Sequence, residues 1–203
     1  MKELIRYGVI GTGVMGQEHI QNINIIENAE VVAICDTNEN SRNQTKSLLK
    51  NSTKLYNDLN ELISKNIADA YIIATPNFTH INILEQILKT NKHLLIEKPL
   101  CTTTEDCKKF ELMSKNYSKI IWTGMEYRYM PPVKQLIKEV HNNVIGKIKM
   151  LSIREHRFPF LHKVDDWNRF AVNTGGTLVE KCCHFFDLMR LVIQSEPAKV
   201  YAS

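Results

Sequence analysis

The sequence predicts an α/β protein in which a doubly wound parallel sheet is followed by a second region built on a different plan. Three observations support this prediction. Over the first 124 residues, short apolar runs alternate with helical patterns, and such alternation favours parallel strands joined by right-handed helical crossovers. A glycine-rich turn joins the first strand directly to the first helix. The alternation then stops, which predicts domains of 1–124 and 125–203.

The first region is predicted to contain six strands and five helices. The strands cover 4–10, 30–35, 54–56, 69–75, 93–97 and 119–125, and the helices cover 14–26, 38–50, 58–64, 78–90 and 104–115. The second region begins with a predicted helix over 130–143, with proline near its start, where proline is tolerated. It continues with a longer strand over 147–158, a loop or lid over 159–174, a helix over 177–193 and the start of a strand at 198–203.

Composition excludes several classes of function. Hydrophobic residues make up 43% and charged residues 24%, as in ordinary globular proteins. The net charge of +4 is mild and no Lys/Arg block stands out, so nucleic acid is not a predicted partner. We find neither a membrane-length apolar run nor a signal peptide, and we expect a cytoplasmic protein without membrane contact. The five cysteines have no disulfide, zinc or C-x-x-C spacing and predict buried, reduced thiols: Cys35, Cys101, Cys107, Cys182 and Cys183.

Gly11, Gly13 and Gly16 form a G-x-G-x-x-G pattern between the first strand and the first helix. In a Rossmann dinucleotide site, the first glycine allows a tight turn and the second lets a pyrophosphate approach the backbone. The third lets the helix pack closely against the sheet. The helix N-terminus then offers free N–H groups and a partial positive charge to the phosphates. The pattern alone is common, so the prediction depends on the residues that come after it in the chain.

Asp36 ends the second predicted strand, twenty residues after Gly16, where an acidic residue commonly binds the adenosine ribose hydroxyls. A carboxylate at this place repels a 2′-phosphate, which favours NAD over NADP as the cofactor. Arg42 lies a few residues on and can soften that preference. The alternative is that Asp36 only caps the adjoining turn or helix. Because strand, loop, helix, strand and acid occur in order, we predict ribose binding.

The helical pattern after Gly175 and Gly176 separates an apolar side from a polar side. At about 100° per residue, the apolar side carries Leu178, Val179, Cys182, Phe185, Phe186, Met189 and Ile193. The polar side carries Glu180, His184 and Asp187, and Lys181 and Arg190 flank them as expected surface residues. Most amphipathic helices present such a side to solvent, so the pattern alone favours water over a substrate as its neighbour.

Two more polar segments come directly after the fourth and fifth predicted strands. They are TPNFTH (75–80) and IEKPL (96–100), and doubly wound sheets place ligands at the carboxyl ends of their strands. Lys98 leaves an apolar strand and precedes Pro99, so it cannot easily swing away with a helix. We also expect a cis Lys98–Pro99 peptide, since X–Pro bonds at special turns tolerate that geometry. The alternative is that Lys98 is an ordinary surface lysine.

With these segments in place, the chain resembles the Gfo/Idh/MocA family of oxidoreductases. The resemblance is carried by Gly11, Gly13, Gly16, Asp36, ATPNFTH (74–80), EKPL (97–100), DWNR (166–169) and GGTLVEKCCHFFD (175–187), in the family's order over nearly the whole chain. The EKP segment is the most specific part. The resemblance implies a Rossmann domain followed by an incomplete α+β domain, which is the first part of a mostly antiparallel sheet with helices.

The resemblance also implies site residues. The predicted catalytic residues are Lys98, His184 and Glu180, although the family has Asp where this chain has Glu180. The predicted cofactor-binding residues are Gly11, Gly13, Val14, Met15, Gly16, Asp36, Thr75, Pro76, Asn77, His80, Glu97 and Lys98. Arg128, Trp167 and Arg169 are predicted to contact the substrate or close a lid, and Trp167 and Arg169 can equally anchor a loop. The polar side of the 177–193 helix then lines a cleft, where Asp187 orients either the His184 ring or the helix.

The implied reaction is hydride transfer between NAD(P) and a secondary hydroxyl of a sugar or an inositol-like polyol, with no metal. His184, with an ordinary pKa near 6.5, suits a general base, and Lys98 can stabilise developing alkoxide charge. The basic run REHRFPFLHK adds Arg154, His156, Arg157, His162 and Lys163 near the presumed cleft. That run suits an acidic sugar substrate, or equally a solvated edge.

Two alternatives to an active dehydrogenase remain open. One is a nucleotide-binding regulator of the same fold without turnover, because fold does not fix function. The other is an inactive fragment of a longer enzyme, since the resemblance implies several more strands after Ser203 and a homo-oligomer at full length. As a fragment, the chain would expose the 147–158 strand edge and part of the 177–193 apolar side.

Overall fold

A six-stranded parallel sheet forms the centre of the first region. The computed structural model describes residues 3–156, 158–159 and 161–201. The strands are β1 (Ile5–Ile10), β2 (Ala29–Cys35), β3 (Lys54–Tyr56), β4 (Ala70–Ile73), β5 (His93–Ile96) and β6 (Ile121–Thr123), in the spatial order β3-β2-β1-β4-β5-β6. All six predicted strands are present. Because the strand order reverses between β1 and β4, ligands are expected at the carboxyl ends of these two strands.

Helices connect successive strands of this sheet. They are α1 (Val14–Asn24), α2 (Glu39–Thr45), α3 (Leu59–Lys65), α4 (His80–Ile87) and α5 (Thr104–Ser114). Three of them have an N-terminal cap, in which the side chain of the residue before the helix accepts a hydrogen bond from the N–H group three residues later. The caps are Asn38 for α2, Asp58 for α3 and Thr103 for α5. The predicted helix 38–50 is shorter than expected, since α2 tightens into a 3-10 turn over Lys46–Leu48.

The apolar core lies on both faces of the sheet. Successive strand residues point to opposite faces, so Ile72 and Ile73 of β4 belong to different apolar clusters. The cluster around Ile72 includes Ile20 of α1, and the cluster around Ile73 includes Leu84 of α4 and Phe110 of α5. Helices therefore cover both faces, which confirms the predicted doubly wound architecture.

The second region consists of helices and irregular segments. It contains α6 (Pro131–His141), a 3-10 segment (Val164–Arg169), α7 (Ala171–Thr174), α8 (Thr177–Glu180) and α9 (Cys183–Ile193). The predicted strands over 147–158 and from 198 are wrong within the described residues, because 147–156, 158 and 198–201 have no regular structure. A strand needs a neighbour for its N–H and C=O groups, and the described part of the second region offers none.

The predicted helix over 177–193 is two helices, α8 and α9, that break at Lys181 and Cys182. The hydrogen bond from Cys182 N to Thr177 O (3.2 Å) spans five residues, whereas that from His184 N to Lys181 O (3.4 Å) spans three. The helical path therefore widens and then tightens, which changes the direction that each side chain takes. Lys181, predicted to lie on the surface, is 7% exposed, so that prediction is wrong.

The predicted apolar side of this segment does not form the buried face. In α9 the buried residues are His184, Leu188 and Val192, which recur every four positions, whereas Phe186 and Ile193 are exposed. The reason is that α9 packs against α6 and the 126–129 turn with its His184 side. Arg190 is exposed as expected and pairs with Glu196.

Two further expectations concern thiols and membranes. All five cysteines are free, as predicted. Cys35 and Cys101 are buried and Cys182 and Cys183 are half-buried, but Cys107 is exposed, so the prediction of burial is wrong for Cys107. Over the described residues, no helix is both long enough and apolar enough to cross a membrane.

Candidate active site

The glycine turn after β1 lies directly against the end of β4. Gly11 has a φ of +89°, and a Cβ there would lie 2.6 Å from the Ala74 backbone, so only glycine fits without a shift. A Cβ at Gly16 would lie 2.0 Å from the Gly11 carbonyl oxygen. By contrast, a Cβ at Gly13 would meet no described atom within 4 Å. The turn thus leaves open space at the N-terminus of α1, where a pyrophosphate is expected to bind.

Asp36 lies beside this turn, at the end of β2. Its Oδ2 accepts hydrogen bonds from Thr12 N (2.7 Å) and Thr12 Oγ1 (3.1 Å), and its Oδ1 accepts one from Asn38 N (2.8 Å). A carboxylate offers about four acceptor positions, so Oδ1 can accept one more bond. Arg42 donates to the main-chain oxygen of Asp36 (2.5 Å), which turns its guanidinium toward the backbone.

The loop after β4 contains one polar group that has no partner. Asn77 is 6% exposed, and its Nδ2 makes no hydrogen bond to any described residue. Thr75 and Pro76, also predicted to bind the cofactor, are half-buried beside it, and Thr79 Oγ1 donates to Thr75 Oγ1 (2.8 Å). A buried amide without a partner is unfavourable, and a bound group that accepts from it would relieve that cost.

His80 connects the loops after β4 and β5. Its side chain is fully buried, with Nδ1 3.0 Å from Pro99 O and Nε2 3.1 Å from Thr75 O. Burial lowers the pKa of His80, so the ring is neutral near pH 7. Both ring nitrogens of His80 thus face main-chain oxygens, and its predicted direct contact with a cofactor stays a prediction. A neutral ring has a single N–H, so His80 donates to one of these two carbonyl oxygens and lies between the two loops.

Glu97 and Lys98 lie at the end of β5, and the Lys98–Pro99 peptide is cis, as predicted. Glu97 is buried; its Oε1 lies 2.6 Å from His19 Nε2, and its Oε2 accepts from Lys98 N (3.2 Å). His19 comes one turn after Gly16 in α1, a spacing that could have revealed its part in the site. A cavity of about 170 Å³ borders Glu97, His19 and Met15, the last of which was predicted to bind the cofactor.

Lys98 extends from the first region to α8 in the second. Its Nζ donates to the main-chain oxygen of Glu180 (3.3 Å), which lies one turn before His184. The structure therefore brings the three predicted catalytic residues into one cluster. Lys98 contacts the backbone of Glu180, which is a detail that the residue spacing alone did not indicate.

His184 lies inside the cluster and is only 1% exposed. Its ring stacks on Tyr127, with 4.1 Å between centroids and 9° between planes, and its Nε2 is 3.4 Å from Glu126 Oε1. Its Nδ1 has no hydrogen-bond partner among the described residues. Burial, with the charges of Lys98 and Lys181, lowers the pKa of His184 to about 4. The expected pKa near 6.5 is thus corrected: His184 is neutral at pH 7, but a weaker base than predicted.

Four residues of this cluster were not predicted as site residues: Glu126 and Tyr127, which contact His184, and Glu155 and Lys181, which contact Tyr127. Lys181 precedes His184 by three positions, so both lie on one face of a helical path, and this spacing was the available signal. Glu126 lies in the 126–129 turn, and burial raises its pKa. Its side chain is still 54% exposed. The pair of His184 and Glu126 therefore links a buried imidazole to the surface of the cluster.

Arg128 is bonded to Asp187 of α9. Its guanidinium contacts both carboxylate oxygens, with Nε 2.5 Å from Oδ2 and a second bond to Oδ1. This ion pair fastens α9 to the 126–129 turn, so Asp187 orients the helix, which was one of its two expected roles. The same pair occupies the Arg128 side chain, which was predicted to contact the substrate.

The segment predicted as a lid lies against the loop after β4. Trp167 meets Phe78 edge to face, with 6.4 Å between ring centroids. Arg169 is exposed. Of the basic run, Arg154, His156 and His162 are exposed, and Arg157 lies outside the described residues. Lys163 is half-buried, and burial followed by the charge of Lys98 lowers its pKa.

Family comparisons agree with this architecture. Residues 5–125 match the model of an oxidoreductase family with an NAD-binding Rossmann fold, GFO_IDH_MocA. Residues 137–203 match the model of the C-terminal α/β domain of the same oxidoreductase family.

Individual relatives point the same way. The chain is 31% identical over 198 residues to a myo-inositol 2-dehydrogenase of Thermotoga maritima, covering 98% of this chain and 58% of that protein. It is 32% identical over 204 residues to an inositol 2-dehydrogenase/D-chiro-inositol 3-dehydrogenase of Halalkalibacterium halodurans, covering 98% of this chain and 56% of that protein.

A solved structure and the relatives' lengths complete the comparison. The crystal structure of a probable dehydrogenase from Thermotoga maritima superimposes with a TM-score of 0.79 at 29% identity, over 95% of this chain and 56% of that chain. The chain thus spans less than three fifths of the length of each of these proteins. Together, the two family models cover most of the sequence, and the chain belongs to the Gfo/Idh/MocA family of oxidoreductases.

Proposed function

We propose that this protein is an NAD-dependent dehydrogenase that transfers hydride between nicotinamide and a secondary hydroxyl of a sugar or cyclic polyol such as an inositol. One observation carries the proposal: Lys98 of the Rossmann region bonds to the Glu180 backbone, one turn from His184. A protein that only binds a nucleotide has no need for a lysine and a histidine at this junction. The names of the inositol dehydrogenases to which the chain is similar support the substrate class.

The residues of the first region fit a bound dinucleotide. Open space in front of Gly13 leaves room for a pyrophosphate at the α1 N-terminus. Asp36 Oδ1 can accept from one ribose hydroxyl, and the unpartnered Asn77 Nδ2 can donate to the cofactor. Because Asp36 repels a 2′-phosphate and Arg42 is bonded to the backbone, we propose NAD rather than NADP. NAD, when bound, supplies the hydride acceptor.

The side chains of Lys98, His184 and Glu126, where the two regions meet, bind the substrate alcohol and transfer its proton. Lys98 Nζ donates to the substrate oxygen and stabilises the alkoxide charge that develops as hydride leaves. His184 is neutral at pH 7, so its imidazole can accept a proton, and Glu126, 3.4 Å from Nε2, carries the proton toward solvent. The burial of His184 requires that the residues around Glu126 move aside, or that Glu126 itself meets the substrate.

A nucleotide-binding protein without turnover is the second candidate. It is favoured by the same burial, since a His184 ring that is 1% exposed does not touch a substrate in this arrangement. The two candidates share the cofactor site and differ only in chemistry at the junction.

A dehydrogenase assay on the purified chain separates the two candidates. NAD and NADP are each tested against inositols, hexoses and uronic acids, and cofactor binding is measured separately by calorimetry. Turnover that is lost in Lys98→Met while NAD binding persists supports the dehydrogenase. NAD binding without turnover on any substrate supports either the binder or an inactive fragment of a longer enzyme, and absence of NAD binding contradicts both the dehydrogenase and the binder.

A further inference from the structure

Lys181 is a buried charge that the proposed chemistry does not use. It lies at the break between α8 and α9 and is 7% exposed, although lysine is almost never buried without a partner. Its Nζ bonds to the Tyr127 hydroxyl and lies 3.1 Å from Glu155 Oε1. It also lies 5.8 Å from the centroid of the Phe185 ring. These contacts compensate the cost of burying an ammonium group.

Tyr127 links this lysine to His184. Its hydroxyl accepts from Lys181 and donates to Glu155 Oε1 (3.1 Å), so two charged groups fix one end of the side chain. The face of its ring lies parallel to the imidazole of His184 at 4.1 Å. A ring held at its hydroxyl by two partners cannot rotate away, and it therefore limits the orientations that His184 can take.

We propose that Lys181 is a positioning residue for His184, because through Tyr127 it fixes the orientation of the imidazole ring. Its charge also opposes protonation of that ring, after burial and the charge of Lys98. This inference rests on the proposed function, in which His184 handles the proton. Lys181 itself touches neither the substrate nor the cofactor in this role. It acts through the stacking of Tyr127 on His184 and through the electrostatic repulsion between its ammonium group and a protonated imidazole.

The charged groups around His184 determine whether loss of the Lys181 charge raises or lowers the pKa of His184. Lys98 and Lys181 oppose protonation of the ring, whereas Glu97 and Asp187 favour it, and Glu126 faces Nε2. Burial and the two lysines prevail, and the pKa of His184 falls to about 4. Removing the charge of Lys181 therefore raises the pKa of His184, and the fraction of neutral imidazole near pH 6 decreases.

Titration of His184 by NMR tests the inference without any substrate. Histidine-labelled samples of the wild type, Lys181→Met and Lys181→Arg are followed from about pH 3 to pH 9 in the full chain, so that the range includes the wild-type His184 titration near pH 4. We expect the His184 pKa to rise by about one pH unit or more in Lys181→Met, because one nearby like charge is gone. Lys181→Arg keeps the charge and should restore most of the wild-type value. Lys50→Met, at an exposed position outside the cluster, is the matched control.

A second pair of variants isolates the stack. Tyr127→Phe keeps the aromatic face but loses the bonds to Lys181 and Glu155, and we expect weaker ring-to-ring NOEs between residues 127 and 184. If Lys181→Met fails to fold, it is replaced by Lys181→Gln, which removes the charge but keeps an amide donor for Tyr127 and Glu155. An unchanged His184 pKa in folded Lys181→Met or Lys181→Gln overturns the proposal, as does an equal shift in Lys50→Met.

The result of the His184 titration can be distinguished from a failure of the proposed dehydrogenase function. If no variant and no wild-type sample oxidises any polyol, while the His184 pKa shifts as expected, the positioning holds and the dehydrogenase proposal fails. If polyols are oxidised, Lys181→Met should shift the acid limb of the kcat profile to higher pH with little change in KM. An active enzyme whose acid limb does not move in Lys181→Met contradicts the positioning role.

Discussion

Replacing Asp36 by alanine tests the cofactor site through a single carboxylate. In the structure, Oδ2 already accepts two hydrogen bonds from Thr12, and Oδ1 accepts one from Asn38. One acceptor position therefore remains for a ribose hydroxyl, and the substitution removes one charged hydrogen bond to NAD. It also leaves the buried Thr12 N–H without its acceptor, so the folded state of the variant must be checked separately.

The expected loss derives from that single bond. A hydrogen bond to a charged group contributes about 1.5–3 kcal/mol. At about 1.4 kcal/mol for each factor of ten, NAD should bind roughly 10- to 150-fold more weakly to Asp36→Ala. NADP should lose much less, because the same substitution removes the carboxylate that repels its 2′-phosphate. The ratio of the two dissociation constants should therefore move toward NADP.

Calorimetric titration of both cofactors measures this ratio. Asp36→Asn is the matched control, since it keeps the shape and one acceptor oxygen but removes the charge. It should relieve the repulsion of NADP while weakening NAD less than alanine does. If Asp36→Ala is folded and binds both cofactors with wild-type affinity, the ribose assignment is wrong, and Asp36 serves only to cap the turn before α2.

The other predictions concern the turn, the helix anchor and the chemistry. Gly11→Ala should lower the unfolding free energy by about 1–3 kcal/mol in a denaturant titration, because its Cβ would lie 2.6 Å from the Ala74 backbone. Gly13→Ala is the control, since a Cβ there would have no neighbour within 4 Å, and equal losses of stability in the two variants would contradict the reasoning. Arg128→Met should accelerate amide exchange across α9 more than Arg190→Met, since the Arg128–Asp187 pair is the less exposed of the two; equal exchange rates would refute this. His184→Gln should lower kcat about 10²–10⁴-fold with NAD affinity unchanged, and a kcat near that of the wild type would exclude His184 from the chemical step.

The first region was predictable because its signals are local. Each strand is a short apolar run, four of the five connecting helices begin at a capping or glycine residue, and parallel strands leave little freedom in how they are joined. Gly11 and Asp36 could be placed together because both end neighbouring strands. The bond between Asp36 and Thr12 confirms that proximity, although cofactor binding itself stays a prediction.

The second region was predicted less well because its packing depends on distant partners. The run over 147–158 alternates like a strand, but the described residues provide no neighbouring strand to pair with it. The buried face of α9 is chosen by contacts with α6 and the 126–129 turn, which the periodicity of α9 alone does not contain. Lys181 is the clearest case, since its burial depends on Tyr127, 54 positions earlier in the chain.

The same long-range packing explains how the site accommodates glutamate at position 180. The resemblance pointed to aspartate there, and the glutamate side chain is one methylene longer. Lys98, however, is held by the main-chain oxygen of Glu180, at a distance of 3.3 Å. That oxygen keeps its place whatever the side chain, because it is fixed by the backbone of α8. The anchoring of Lys98 near His184 is therefore independent of the replacement, and Glu180→Asp should leave it intact.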